Sequence, residues 1–296
     1  MRVIVLGASG MLGFALHRVL HDRHCDVVGT VRGAPPESPW CTGLRYIAGV
    51  YAEDIDSVRK AVRDYRADVV INAAGVIKQI TDATGEHLNA INAVFPRRLA
   101  LWARREGFYV VHFSTDCVFA GTRGAYVETD VPDATDVYGM SKFLGEDYGP
   151  GQLVLRTSII GRGLRPNPSL VDWLLSQSGN VRGYAQAIFS GLPVNSIASI
   201  VADHLLTHRP PLEGLYHLSA APIAKLELVE LLRDAWGRHD LQIIPDNSVR
   251  IDRSLDSSRL RQCLDWVPED WPVLVTEMRD FYRKLDRQRD MPGASR

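Results

Sequence analysis

The sequence predicts a doubly wound α/β protein, a parallel sheet with helices on both faces, followed by a smaller C-terminal α/β lobe. Three observations predict it. Val3 to Leu6 form a short apolar run with no polar alternation, as a strand buried on both faces requires. Gly7, Gly10 and Gly13 follow at once and open a segment with helical apolar spacing. Apolar runs then recur with helical stretches between them, which is the rhythm of βαβ units.

Each element has a local justification. "MLGFALHRVL" sets Leu12, Ala15, Leu16, Val19 and Leu20 along one helical face, and "CDVVGTV" is the second strand. "ADVVINAAG" (67–75) is a further buried strand that ends in small residues. A helix is expected over 88–105. The strand "FYVVHFSTD" (108–116) comes next and ends in Ser114, Thr115 and Asp116. A loop rich in Gly, Pro, Asp and Thr leads into the helical "DVYGMSKFLGE" (136–146), and "QLVLRTSII" (152–160) is the next strand. Residues 1–160 are therefore read as a dinucleotide-binding domain, with a helix near 195–207 packing back on it within 192–210. Residues 161–296 are read mainly as a substrate-binding lobe, with a strand "GLYHLS" and helices near 224–236 and 272–285. No low-complexity linker separates the two, so one compact body is expected.

Composition narrows the function. A chain of 296 residues, 46% hydrophobic and 23% charged, suits a soluble protein, and a net charge of -1 supplies no field for nucleic acid or acidic membrane. The arginines of "PRRLALWARR" (96–105) read as a solvated helix face. Cysteines 25, 41, 117 and 263 are scattered without metal-ligand spacing, which fits reduced thiols in a cytoplasm and no metal. No apolar run is long enough to cross a bilayer, and the N-terminus lacks a leader pattern.

The glycine turn has a chemical purpose. Gly7 permits the tight turn, Gly10 lets backbone approach a pyrophosphate, and Gly13 lets helix and strand pack closely. The helix start then offers N–H groups and a positive dipole end to phosphates, so Ser9, Met11 and Leu12 are expected at the cofactor as well. The end of the second strand reads Gly29, Thr30, Val31, Arg32, with no carboxylate for a ribose 2′-hydroxyl. Arg32 suits a 2′-phosphate, which favours NADPH over NADH. Asn72, Ala73, Ala74 and Gly75 would let the chain pass close under a nicotinamide.

Tyr138 and Lys142 lie one helical turn apart on one face. A phenol is a poor acid–base group at neutral pH, and a neighbouring ammonium is expected to lower its pKa. Thr115, at the carboxyl edge of the sheet, can bond the same substrate oxygen. The three together would polarise a carbonyl that receives hydride.

The pieces "GASGMLG", "INAAG", "AINAVFPRRLA", "FSTDCVFAG", "YGMSK" and "LRTSIIG", in this order over residues 3–161, resemble the extended short-chain dehydrogenase/reductases. Within them the chain looks most like the dTDP-4-dehydrorhamnose reductase group. The resemblance implies a Rossmann sheet and a catalytic triad of Thr115, Tyr138 and Lys142. It also implies Asn92 as a structural or relay partner near Lys142, with Asn92 and Ser114 at the cofactor, and a lobe that covers a nucleotide-linked sugar. The implied activity is NADPH-dependent reduction of a 4-keto-6-deoxy nucleotide sugar. An epimerase on the same fold is the alternative, as is a non-catalytic NADP-binding subunit like the regulatory β subunit of methionine adenosyltransferase. Two departures from the family's phrases stand out: Cys117 replaces a tyrosine, and "AGVYAED" lacks the acid often found after the third strand. Candidate substrate contacts are Lys78, Thr115, Asp116, Cys117 and Arg182, with Arg165 and the "IFSG" segment (188–191) beside them. A homodimer is common in such families.

Overall fold

The computed structural model describes residues 1–77, 85–164 and 169–289; Lys78 and Arg165 lie outside the described residues. The chain begins β1 (Arg2–Leu6), α1 (Met11–Asp22), β2 (Asp26–Thr30), β3 (Tyr46–Ile47), α2 (Ile55–Tyr65) and β4 (Val69–Asn72). A helical stretch follows, made of α3 (Gly85–Asn89), a π-helical turn (Ala90–Val94) and α4 (Phe95–Glu106). Then come β5 (Tyr109–Thr115), α5 (Val137–Leu144), β6 (Gln152–Thr157), β7 (Ile159–Ile160), α6 (Leu170–Ser176), β8 (Asn180–Phe189), β9 (Leu192–Pro193) and α7 (Val194–Ile200). The chain continues with β10 (Gly214–His217), β11 (Ile223–Ala224), α8 (Lys225–Ala235), β12 (Gln242–Asp252), α9 (Ser258–Leu264) and α10 (Trp271–Arg289).

Seven strands form one parallel sheet in the order β10-β6-β5-β4-β1-β2-β3. The chain winds outward from β1 to β2 and β3, then crosses back to β4 and continues the other way. Strand order therefore reverses between β1 and β4, and ligands of such sheets bind in the crevice at that point. One apolar core lies where α1, α7 and α10 meet the sheet, and a second lies under α2 and α4 on the opposite face. The central strands are covered on both sides, so Val3, Ile4, Val5, Val70 and Ile71 are all buried. A three-stranded sheet, β11-β8-β12, carries the smaller lobe.

The structure departs from the sequence reading at four places. The strand "GLYHLS", expected in the smaller lobe, is β10 and pairs with β6 as the last strand of the central sheet. Helix α10 also returns to the larger body, where Trp40 donates to Asp286 (2.9 Å) and its ring packs on Tyr282. The run 152–160 is broken at Ser158, after which β7 leaves the main sheet to pair with β9.

The fourth departure is the π-helical turn inside the helix expected over 88–105. Pro96 has no N–H, so the Asn92 carbonyl loses its usual helical donor. The Phe95 N–H instead reaches Ala90 O. The displaced Asn92 carbonyl is met by Gly145, where a Cβ would lie 1.9 Å from the oxygen.

Candidate active site

Gly7 sits at φ +78, and a Cβ there would come within 2.8 Å of Ala74 Cα, so it serves both the turn and the contact between β1 and β4 ends. A Cβ on Gly13 would lie 2.2 Å from Gly7 O, which fixes the close approach of α1 to the turn. Gly10 is different: it is exposed, and a Cβ there would meet only Gly7 O, at 3.3 Å. Gly10 caps α1 with no side-chain hydrogen bond, and the first turn carries no acid. The helix start thus keeps its N–H groups and positive end open towards solvent. Ser9 and Met11 flank this opening, while the Leu12 side chain packs into the core. Arg32 stands exposed just beyond β2, and its guanidinium forms no ion pair among the described residues. These features fit a dinucleotide: an open helix start for its phosphates and an unpaired cation at the second strand end.

The opposite wall is built by polar residues that satisfy one another. Asn72 Oδ1 accepts from Ala74 N (3.2 Å), which leaves its Nδ2 facing His112 Nδ1 (3.1 Å). Asn92 is fully buried; its Oδ1 accepts from Val76 N (3.0 Å), and its Nδ2 donates to Val76 O (2.9 Å) and Ser141 Oγ (3.2 Å). Asn92 thereby pins the segment after Gly75 to α5. A Cβ on Gly75 would lie 3.5 Å from Asn92 Oδ1 and 4.0 Å from Lys142 Nζ, so Ala73, Ala74 and Gly75 run along the floor between the glycine turn and Lys142.

Helix α5 begins at Asp136, whose carboxylate caps it by accepting from Gly139 N (3.0 Å). Gly139 is required by contact, since a Cβ would lie 2.2 Å from Cys117 O. That contact sets the helix against the loop after β5 and brings Tyr138 beside Thr115, whose hydroxyl favours the ionised phenol. Thr115 also accepts from Cys117 N (3.1 Å) and donates to Asp116 Oδ1 (3.2 Å). Lys142 is buried, and its Nζ donates to Phe113 O (2.6 Å).

The electrostatics differ from the sequence expectation. Burial pushes the Tyr138 phenol up; the Cys117, Asp116 and Asp136 charges add to this and the nearby Thr115 hydroxyl opposes it. The ammonium of Lys142 does not reverse the shift, because burial lowers Lys142 itself to about 8 against the opposing pull of Glu146. Burial, together with Lys142, holds His112 well below the usual imidazole range and so neutral. Asp116 is raised by burial, with Arg253 opposing, and burial raises the Cys117 thiol to about 11.

Thr115, Asp116, Cys117, Tyr138 and Lys142 are thus brought together, with Ser114 and Asn92 behind them. Arg182 is not. It lies on β8 with an exposed side chain 3.7 Å from Asp246, seven residues before Phe189 and so roughly 23 Å down the strand. The sequence reading missed Arg253, which donates from Nε to Phe119 O (2.7 Å) and sets Nη1 3.8 Å from Cys117 Sγ. Nothing local in "RIDRSLD" distinguishes it; only the return of the chain after β12 brings it to the loop after β5.

A seven-stranded parallel sheet flanked by helices, with a glycine turn at its switch point, makes this a Rossmann-like α/β protein. The chain matches the RmlD substrate binding domain over residues 1–257 and belongs to that family. It is 30% identical over 217 residues to a probable low-salt glycan biosynthesis reductase of Haloferax volcanii, a match spanning 70% of this chain and 66%, just under two thirds, of that protein. It is 28% identical over 232 residues to the dTDP-4-dehydrorhamnose reductase of Salmonella typhimurium, covering 74% of this chain and 73% of the relative. It is also 27% identical over 252 residues to the methionine adenosyltransferase 2 subunit beta of Xenopus tropicalis, covering 79% and 72%. Among solved structures, a dTDP-4-dehydrorhamnose reductase of Bacillus anthracis in complex with NADP shares the fold, with TM-score 0.76 at 21% identity over 95% of this chain and 99% of that one.

Proposed function

We propose that the protein is an NADPH-dependent reductase of a 4-keto-6-deoxy nucleotide sugar, with Thr115, Tyr138 and Lys142 as its catalytic residues. The observation that carries this reading is the meeting of Tyr138 and Thr115 beside a buried Lys142, across the floor from an open glycine turn. The open start of α1 (Gly7, Ser9, Gly10, Met11 and the Leu12 backbone) would hold the dinucleotide phosphates, and Arg32 the 2′-phosphate. Asn72 to Gly75 and Lys142 would line the rest of the cofactor, whereas Asn92 and Ser114, expected there from the sequence, are buried behind these residues and engaged with Val76, Ser141 and Glu146. A reduced nicotinamide, when bound, supplies the hydride.

The chain's own part is to hold and protonate the substrate oxygen. Thr115 fixes the carbonyl oxygen, and Tyr138 gives its proton to the oxyanion that develops there. A phenol raised by burial keeps its proton through neutral pH. That suits a donor in the reductive direction. Arg253, with its guanidinium beside Cys117, joins Asp116 and Cys117 as a contact for the sugar or its phosphates.

A second reading has support in the relatives named methionine adenosyltransferase 2 subunit beta: a protein that binds NADP and acts on a partner without turnover. An NADPH oxidation assay over dTDP-, UDP- and GDP-linked 4-keto sugars separates the two. Multiple turnovers support the reductase, and tight NADPH binding without turnover of any substrate in the panel supports the subunit. In the reductase, Tyr138→Phe should lower turnover about a hundred- to ten-thousand-fold with NADPH affinity barely changed. Near-normal rates in that variant would sink the mechanism.

A further inference from the structure

Beneath the proposed catalytic residues lies a buried ionic cluster to which that reading gives no role. Glu146 follows α5 by two residues and stands four after Lys142. Its Oε1 accepts from Ser114 Oγ (2.7 Å) and Arg156 Nε (2.8 Å), and its Oε2 accepts from Arg156 Nη2 (2.7 Å). The side chains of Arg156 and Glu146 are 2% and 1% exposed. The guanidinium lies over the Phe119 ring (5.2 Å), which is stacked on Tyr126, and its Nη1 faces His217 Nε2 at 3.5 Å. Burial and Arg156 lower His217 to about 4, and its Nδ1 faces Tyr126 O (3.0 Å), so the neutral ring donates there and presents an acceptor to Arg156.

We propose that Glu146 is a positioning residue for this site: its carboxylate locks α5 to the ends of β5 and β6 and so sets Lys142 and Tyr138 against Thr115. The proposal rests on the reductase reading for its catalytic consequence, though not for its geometry. Ser114 adjoins both Phe113, whose carbonyl takes the Lys142 ammonium, and Thr115, which lies beside Tyr138. One carboxylate thus joins the helix carrying the phenol and ammonium to the strand carrying the hydroxyl. A buried ion pair gives little or no net stability over apolar residues of the same volume, so stability alone does not explain one here.

The same carboxylate acts on the charge of Lys142. The groups facing Lys142 among the described residues are the Phe113 carbonyl and neutral His112 from β5, Gly75 from the segment after β4, and Asn92 of the π-helical turn beside Gly75. From α5 and the residues just after it come the neutral Tyr138 phenol and Glu146, with Arg156 of β6 behind the carboxylate. Burial favours the neutral amine and Glu146 favours the ammonium.

The test reads Lys142 directly in the cofactor-free protein, by ¹³C NMR of lysine Cε with Lys142→Met providing the assignment. Glu146→Gln should move the Lys142 titration to lower pH by about one unit. Because that variant leaves Arg156 buried and unpaired, Glu146→Gln with Arg156→Met is measured beside it and should shift in the same direction. Glu146→Asp keeps the charge but shortens the reach. Its Lys142 titration should stay in place while kcat falls at least tenfold at unchanged KM. An unmoved Lys142 titration in the folded double variant, or full kcat in Glu146→Asp, overturns the proposal. Should the wild type turn over no substrate, the reductase reading fails, whereas the titration still decides the role of Glu146.

Discussion

Replacing Lys142 by methionine removes a buried charge while keeping most of the side-chain volume. Lys142 is 6% exposed, and burial brings it from 10.5 to about 8. Linkage makes that a cost of about 3 kcal/mol for folding with the ammonium charged. Against it stands the hydrogen bond to Phe113 O, whose loss costs about 1–2 kcal/mol. The variant should therefore be more stable than wild type at pH 7 by about 1–2 kcal/mol, or roughly 2–3 °C in Tm for a chain of this size. Below pH 8 both folded and unfolded wild type hold the proton, so this difference is constant. Between pH 8 and 10.5 the folded wild type releases the proton while the unfolded chain retains it. Wild-type stability then rises relative to the variant by about 3 kcal/mol, and the order inverts near pH 9. Urea unfolding of both proteins at pH 7, 8.5 and 10, followed by circular dichroism without cofactor, measures this. A variant less stable than wild type at pH 7, or a difference independent of pH, refutes the reasoning. Activity should fall in the same variant, so the residue proposed for catalysis is one the fold would be more stable without.

The glycines of the turn should separate by role. Gly13→Ala drives a Cβ into Gly7 O and should cost about 3 kcal/mol or more in a thermal melt, whereas Gly10→Val should fold normally and lose NADPH binding in a fluorescence titration. Normal binding by Gly10→Val would make the turn purely structural. Arg32→Ala should cut the preference for NADPH over NADH about 10- to 100-fold in paired titrations, because it removes the only side chain proposed for the 2′-phosphate. An unchanged ratio would remove Arg32 from that role.

The sequence by itself determined what depends on local geometry. The G-x2-G-x2-G turn, the unalternating strands around it and the Tyr-x3-Lys spacing are short-range patterns, each fixed by backbone sterics or helical periodicity. They were enough to specify a doubly wound sheet and to bring Tyr138 and Lys142 to one face of α5. The π-helical turn was half legible, since Pro96 announces a missing donor, yet only Gly145 packing on the Asn92 carbonyl shows where this turn meets the end of α5.

Tertiary structure decided whatever depended on distant segments meeting. Arg182 and Arg253 look alike in sequence, but β8 carries the first away from the carboxyl edge while the chain after β12 returns the second to Cys117. Strand β10 joins the central sheet because the open edge of β6 takes it, a pairing between residues some sixty positions apart that no local pattern encodes. The direction of the Tyr138 shift was misread for the same reason. Sequence spacing reveals the ammonium four residues away, whereas desolvation depends on every atom packed around the phenol, and here burial is the largest influence.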